Sequence, residues 1–192
     1  MNLYNFMDGI DGLAGGEALT VAATAAILLI LGGFFSLGLV AAVVAGAGAG
    51  FLLWNWPPAK VFMGDVGSGF LGFLFGTLAA SSMTAKPSSF WTWLILLGVF
   101  FTDTLITLVR RMVRGEKWYE AHRSHAFQHA TARTGSHLKV TAGVLALNLL
   151  WLTPLACIAW SQPGLAPLCA AVALTPLVLL ALCFRAGLPQ EP

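Results

Sequence analysis

ALTVAATAAILLILGGFFSLGLVAAVVAGAGAGFLL, the run from Ala18 to Leu53, carries not one charged side chain. As a single helix at about 1.5 Å per residue it would reach roughly 54 Å, far beyond the ~30 Å hydrocarbon core of a bilayer, so it must fold back on itself. Gly32, Gly33, Ser36 and Gly38 mark the turn, which predicts one span near Ala18–Gly33 and a second near Leu37–Leu53. The pattern repeats downstream. A polar loop over Asn55–Gly67 precedes a third span at Ser68–Ala85, and a short Lys86–Ser89 turn leads to a fourth at Phe90–Val109. The longest polar stretch, Arg110–Lys139, is followed by spans near Val140–Trp160 and Pro167–Phe184. The whole chain, 1–192, reads as a single all-α domain, a polytopic membrane protein with about six transmembrane helices.

Composition agrees. Hydrophobic residues make up 58% of the chain and charged ones only 9%, with a mean hydropathy of +0.82, a balance that no water-soluble domain of this size could hide in a core. A net charge of +2 on sparse Lys and Arg argues against nucleic acid as a partner and makes the position of each charge informative. Cys157, Cys169 and Cys183 lie in apolar runs without metal-ligand spacing and read as packing residues. Two spans separate the amino-terminal Asp8/Asp11 segment from the Asn55 loop, and two more separate that loop from Arg110–Lys139, so all three share a side. Arg110, Arg111, Arg114, Lys117, Arg123, Arg133 and Lys139 stand there against Glu116 and Glu120, while the opposite side offers Lys86 alone. By the positive-inside rule the shared side is cytoplasmic.

That side holds the chemistry-bearing residues. Asn5, Asp8 and Asp11 recur at three-residue intervals, which on a helical turn would align them on one face, with Gly9 and Gly12 leaving room for a ligand or a second backbone. In Asn55-Trp-Pro-Pro-Ala-Lys60-Val-Phe62-Met-Gly-Asp65-Val-Gly-Ser68-Gly a rigid Pro-Pro turn leads to a carboxylate and a glycine-rich helix start, with Ser68 as its expected cap. No GxxxxGK[ST] loop exists, so a hard cation held by Asp8, Asp11 and Asp65 is the economical way to manage a diphosphate. The third group, Glu120 to His129, brings His122, Arg123, His125 and His129 into the basic loop; without a cysteine or fourth ligand nearby it reads as cationic donors for phosphate rather than a zinc site. His137 reads as an isolated residue at a span edge, and Trp54 and Trp56 as interfacial aromatics. Asp103, inside the fourth span, must face protein or water, since a bare carboxylate there costs about 3 kcal/mol. Gly46/Gly50 and Gly72/Gly76 show the small-xxx-small spacing of close helix packing.

Together, the Asn5–Asp11 motif, the Asn55–Ser68 string and His125 in its basic run, Arg114 to His125, resemble the polyprenyl-phosphate N-acetylhexosamine-1-phosphate transferases, over essentially the whole chain. The likeness is closest to bacterial members that start O-antigen or related surface polysaccharides. It implies transfer of a sugar 1-phosphate from a UDP-N-acetylhexosamine to undecaprenyl phosphate with release of UMP. It also implies Mg²⁺ as cofactor, with Mn²⁺ as the alternative ion, and a multi-pass location in the bacterial inner membrane with the site facing the cytoplasm. A homodimer is an open alternative to a monomer. Asp65, His125, Asp8 and Asp11 would carry the chemistry, with Asp65 and Asp8 on the metal. Asn5, Asn55, Lys60, Phe62, Arg123, His122 and His129 would bind substrate, Phe62 by stacking on uracil. The family places further spans and an adjacent pair of aspartates ahead of the Asn5 motif, and no Asp-Asp pair occurs here, so the chain is expected to be a carboxyl-terminal portion. Where many relatives carry His-x-His-His, this chain has His125-Ala-Phe-Gln-His129. The competing readings are a non-catalytic membrane homologue or scaffold and an ion or solute transporter using Asp103; the latter expects several charged residues near the midplane.

Overall fold

The computed structural model describes residues 2–116 and 123–189 and is helical, with no strand among the described residues. A short helix α1 (Asn2–Phe6) precedes α2 (Leu13–Leu31), α3 (Phe35–Asn55), α4 (Gly64–Ala85), α5 (Ser89–Leu96) and α6 (Gly98–Val113). Then come α7 (Ala126–Thr134), α8 (His137–Leu147), α9 (Thr153–Ser161) and α10 (Ala166–Cys183). Five helical rods are long and apolar enough to cross a bilayer: α2, α3, α4, the continuous His137–Ser161 rod made of α8 and α9, and Pro163–Cys183 containing α10. The pair α5–α6 makes a sixth if taken as one bent span.

The helix α2 is the hub: its residues are buried on nearly every side, and it packs most extensively on α3. The outer helices turn large apolar side chains outward, among them Val43, Leu53, Val66, Phe70, Leu168 and Leu179, as helices do when the medium around them is hydrocarbon. Close approach of α2 and α3 uses Gly38, where an added Cβ would meet Ile30, and Gly48, where it would meet the Leu19 backbone. The expected contact at Gly46 and Gly50 is not made; both face open space. Spacing picked out one small-residue stripe, and the helix packs by the other.

Two span boundaries differ from expectation in an informative way. The first span starts at Leu13 rather than Ala18, which draws Glu17 into the protein interior, fully buried. Its Oε2 accepts a hydrogen bond from Asn148 Nδ2 at 2.6 Å, and the same amide reaches Thr20 Oγ1 at 3.0 Å. Asn148 opens a π-helical turn, Asn148–Leu152, just ahead of Pro154, whose missing N–H and bulky ring disrupt the regular i→i−4 ladder. The fourth span is not the straight rod expected over Phe90–Val109: α5 and α6 meet at 76°. Gly98 at the break lies against Leu174 and Leu177 of α10, so the bend lets α10 pack into the corner, and glycine is a recurrent kink site.

The connections sort to two ends. At one, Trp160 meets Gly32 and Phe34, and Lys86 donates to the Trp160 carbonyl. At the other lie the α1–α2 loop, the Asn55–Met63 loop and the start of α7. The shared side argued from parity is thus a physical cluster, although α7 is a helix inside what reads as a polar loop.

Candidate active site

The first motif does not form one helical face. Helix α1 stops at Phe6, and Asp8 and Asp11 sit in the loop that turns into α2 at Gly12, whose φ of 77° lies in the left-handed region open to glycine. In this loop the two aspartates diverge. Asp11 Oδ2 accepts from the Ala59 backbone N–H at 3.1 Å, its Oδ1 lies 3.3 Å from His137 Nδ1, and its carbonyl accepts from Thr141 Oγ1 at 2.7 Å. It ties the Pro-Pro loop and α8 to α2. His137, read as isolated, is therefore a partner of Asp11 from 126 residues away in sequence. Asn55 is a second tie of the same kind. Buried at the end of α3, it accepts from Gly12 N at 2.9 Å and donates to the Val61 carbonyl at 2.8 Å. Neither end of its amide faces outward.

Asp8 goes the other way. Half-buried, it faces Asp65 in the first turn of α4. Its carboxyl is held above the usual carboxylate range, first by burial and second by the charge of Asp65, while the Gly64 N–H opposes the shift. Asp65 itself is exposed. The start of α4 thus presents a carboxylate and offers an N–H to another carboxylate, instead of presenting free donors to a phosphate. Ser68 is not its cap: it lies a turn inside, and its hydroxyl donates to the Gly64 carbonyl at 3.0 Å. Among the described residues no three acidic, histidine or cysteine side chains form a metal-holding group, so the expected trio reduces to the pair Asp8 and Asp65. Two carboxylates with open space beside them suit Mg²⁺, which keeps most of its shell as water and substrate oxygens.

Around this rim Phe62 is 74% exposed, Lys60 is exposed with its ammonium 5.7 Å from the Trp54 ring, and Asn5 is half-buried in α1. Arg123 is exposed; His122 lies outside the described residues. His125 is buried at 2% exposure. Its ring stacks on Phe127 at 5.8 Å between centroids and lies 6.1 Å from Phe6, and Phe127 in turn fills the space above Gly9. That chain of contacts brings the histidine segment against the loop bearing Asp8. Gln128 Oε1 accepts from His125 N at 3.1 Å and closes the first turn of α7.

His129 looks elsewhere. It is buried, with Nε2 3.0 Å from the Leu188 carbonyl. Arg110 donates to Ala186 O, Arg114 to Gly187 O and Arg133 to Cys183 O, so much of the basic loop satisfies carbonyls at and beyond the end of α10, where cationic side chains are favoured. Behind Phe127 lies a cavity of about 280 Å³, lined mainly by apolar residues of α6, α7, α8 and α10, with Asp103 at its polar end and Lys139 among its lining.

Residues 1–83 match the model of glycosyl transferase family 4. Over that stretch the chain is similar to this family. It is 33% identical over 138 residues to a probable undecaprenyl-phosphate N-acetylglucosaminyl 1-phosphate transferase of Bacillus subtilis, a match covering 71% of this chain and 38% of the relative. It is 38% identical over 109 residues to a phospho-N-acetylmuramoyl-pentapeptide-transferase of Halalkalibacterium halodurans, covering 57% of this chain and 32% of that protein. The enzyme of the same description from Mycobacterium tuberculosis is 37% identical over 131 residues, with 58% and 34% covered. The matched part thus spans about a third of the length of these relatives.

Proposed function

We propose that this chain forms the nucleotide-sugar face of an undecaprenyl-phosphate sugar-1-phosphate transferase, acting at the first step of a cell-surface polysaccharide or cell-wall glycan. The observation that carries the reading is the Asp8–Asp65 pair: burial and the facing Asp65 charge raise the proton affinity of Asp8, on a rim beside the His125 segment. Such a pair is favourable only if a cation relieves the repulsion when it is ionised. Mg²⁺ held there by Asp8 and Asp65 would neutralise charge on the donor diphosphate. In the reaction an oxygen of the lipid phosphate attacks the sugar-linked phosphorus of UDP-N-acetylhexosamine, the bond from that phosphorus to the bridging oxygen breaks, and UMP leaves with that oxygen. Phe62 stacks on uracil, Lys60 and Arg123 face phosphate, and His125 lies toward the diphosphate. Asp11 and Asn55 act through the backbone, by holding the Pro-Pro loop that carries Lys60 and Phe62. The apolar cavity behind Phe127 suits an acceptor whose tail is hydrocarbon.

The charge distribution supports a bacterial plasma-membrane protein whose site faces the cytoplasm, where UDP-sugars are made. A cysteine replacing Arg123 should then react only after the membrane is permeabilised, and one replacing Ser161 should react from outside; the opposite pattern would reverse the orientation. Catalysis is tested by radiolabel transfer in membranes supplied with a UDP-N-acetylhexosamine, undecaprenyl phosphate and Mg²⁺. Transfer by the native chain well above that of Asp65→Asn and His125→Ala is expected. Equal signals from all three would overturn the assignment in favour of a non-catalytic membrane homologue.

A further inference from the structure

Asp103 is 5% exposed in α6, a position where an ionised carboxylate needs strong compensation. Four hydrogen-bonding groups surround it. Thr107 Oγ1 lies 3.2 Å from Oδ1, one turn along the same helix. The remaining three come from a single segment elsewhere in the chain: Ala126 N at 2.9 Å from Oδ1, Phe127 N at 3.1 Å from Oδ2, and His125 Nδ1 at 3.2 Å from Oδ1. The two amides are the first N–H groups of α7, which have no acceptor within their own helix. His125 precedes α7 with extended backbone (φ −73°, ψ 151°), which swings its ring back over the carboxylate that caps the helix. One side chain therefore fixes the start of α7 and one nitrogen of the histidine ring.

We infer that Asp103 is the positioning residue of this site: by accepting from Nδ1–H it sets the protonation pattern of His125, so that proton exchange and phosphate contact at this ring fall to Nε2. A cap alone would need only the two amides. The third bond, to the imidazole, links the helix cap to the chemistry, and a carboxylate on one ring nitrogen is the usual way to hold a histidine in one tautomer. Thr107 completes the set by keeping the Asp103 side chain in place. The catalytic consequence rests on the proposed role of His125, whereas the hydrogen-bond pattern itself does not.

The test is therefore spectroscopic first. The full chain, labelled with ¹⁵N-histidine and reconstituted in lipid, is assigned at His125 by the signal missing in His125→Ala. A directly bonded proton on Nδ1 is expected in the native chain, together with amide protons of Ala126 and Phe127 shifted as strong hydrogen-bond donors to a carboxylate. In Asp103→Asn, an isosteric change whose amide can turn a donor toward the ring, the proton should move to Nε2; in Asp103→Glu the native pattern should be largely recovered. Unchanged His137 signals report that each variant is folded. A native Nδ1 without its proton would overturn the inference whatever the variants do. So would an Asp103→Asn spectrum in which only the two amides move, because Asp103 would then be a helix cap and nothing more. In the transfer assay the same substitution should lower kcat by about 10- to 100-fold, the range found when a histidine's orienting partner is removed, with KM for the UDP-sugar changed far less. A chain with no transfer activity at all would remove the catalytic reading and leave the tautomer result standing.

Discussion

Asp8 and Asp103 lie near the same short helix, yet they are opposites. Asp103 is buried among four hydrogen-bonding partners. Asp8 is half-buried, is opposed by a second carboxylate and has its proton affinity raised. A carboxylate ringed by donors is already satisfied and works as structure, orienting what it touches. One placed against another carboxylate, with the Gly64 N–H as its opposing donor, keeps a repulsion that a cation would relieve. The same contrast divides the first motif, where Asp11 is bound to Ala59 and His137 while Asp8 is left toward the rim.

That contrast can be broken by substitution. The largest effect is expected at Asp65. Converting it to Asn should reduce kcat/KM by about 10²-fold or more, comparable to losing a main electrostatic contact of a transition state, with thermal stability unchanged or slightly raised as the repulsion on Asp8 disappears. A thermal midpoint that fell along with activity would mean that the pair is structural after all.

Asn55→Ala should do the reverse. It orphans the Gly12 N–H and the Val61 carbonyl, costing about 2 kcal/mol of stability by the usual penalty for unpaired buried polar groups. Detergent-solubilised chain followed by tryptophan fluorescence would show a lowered midpoint, and a midpoint equal to the native one would place Asn55 in substrate binding instead. Smaller again is Phe62→Ala. With the ring 74% exposed, stability should stay within about 0.5 kcal/mol, while KM for the UDP-sugar should rise about 10-fold through loss of a stacked base.

The smallest effect is on pH dependence. Because Asp8 holds its proton more tightly when folded, the stability it contributes is complete below the ordinary carboxylate range and is lost as pH rises through the raised value. Asp65→Asn removes the charge contribution and leaves burial, so the decline in thermal midpoint from acidic to neutral pH should shrink without vanishing. An identical decline in both chains would show that Asp65 does not act on Asp8.

Part of this arrangement is legible in the sequence. The positions of most spans, the turn at Gly32–Gly33, the clustering of three segments at one end and the polar loop before Asp65 all follow from local pattern. Hydropathy reports where a helix sits in lipid, and a Pro-Pro turn before a carboxylate reports a loop. The burial of Glu17 does not follow, because a span read from hydropathy begins after the last charge, although a buried glutamate is tolerated when an amide such as Asn148 meets it. Nor does the bend at Leu97–Gly98, because one glycine in an apolar run has many readings until Leu174 and Leu177 are seen beside it.

The sequence by itself determined the membrane class, the number of apolar rods to within one, and the polar segments in which the carboxylates and histidines gather, because these depend on composition and short-range period. Only the tertiary structure decided what each of those residues does. Asp8, Asp11, Asp65 and Asp103 are one residue type, and nothing in their neighbours along the chain says that His137 will find Asp11 or that α7 will begin on Asp103. The role of a carboxylate is set by the donors and charges within a few ångströms, and in a folded helical bundle most of those come from distant parts of the chain.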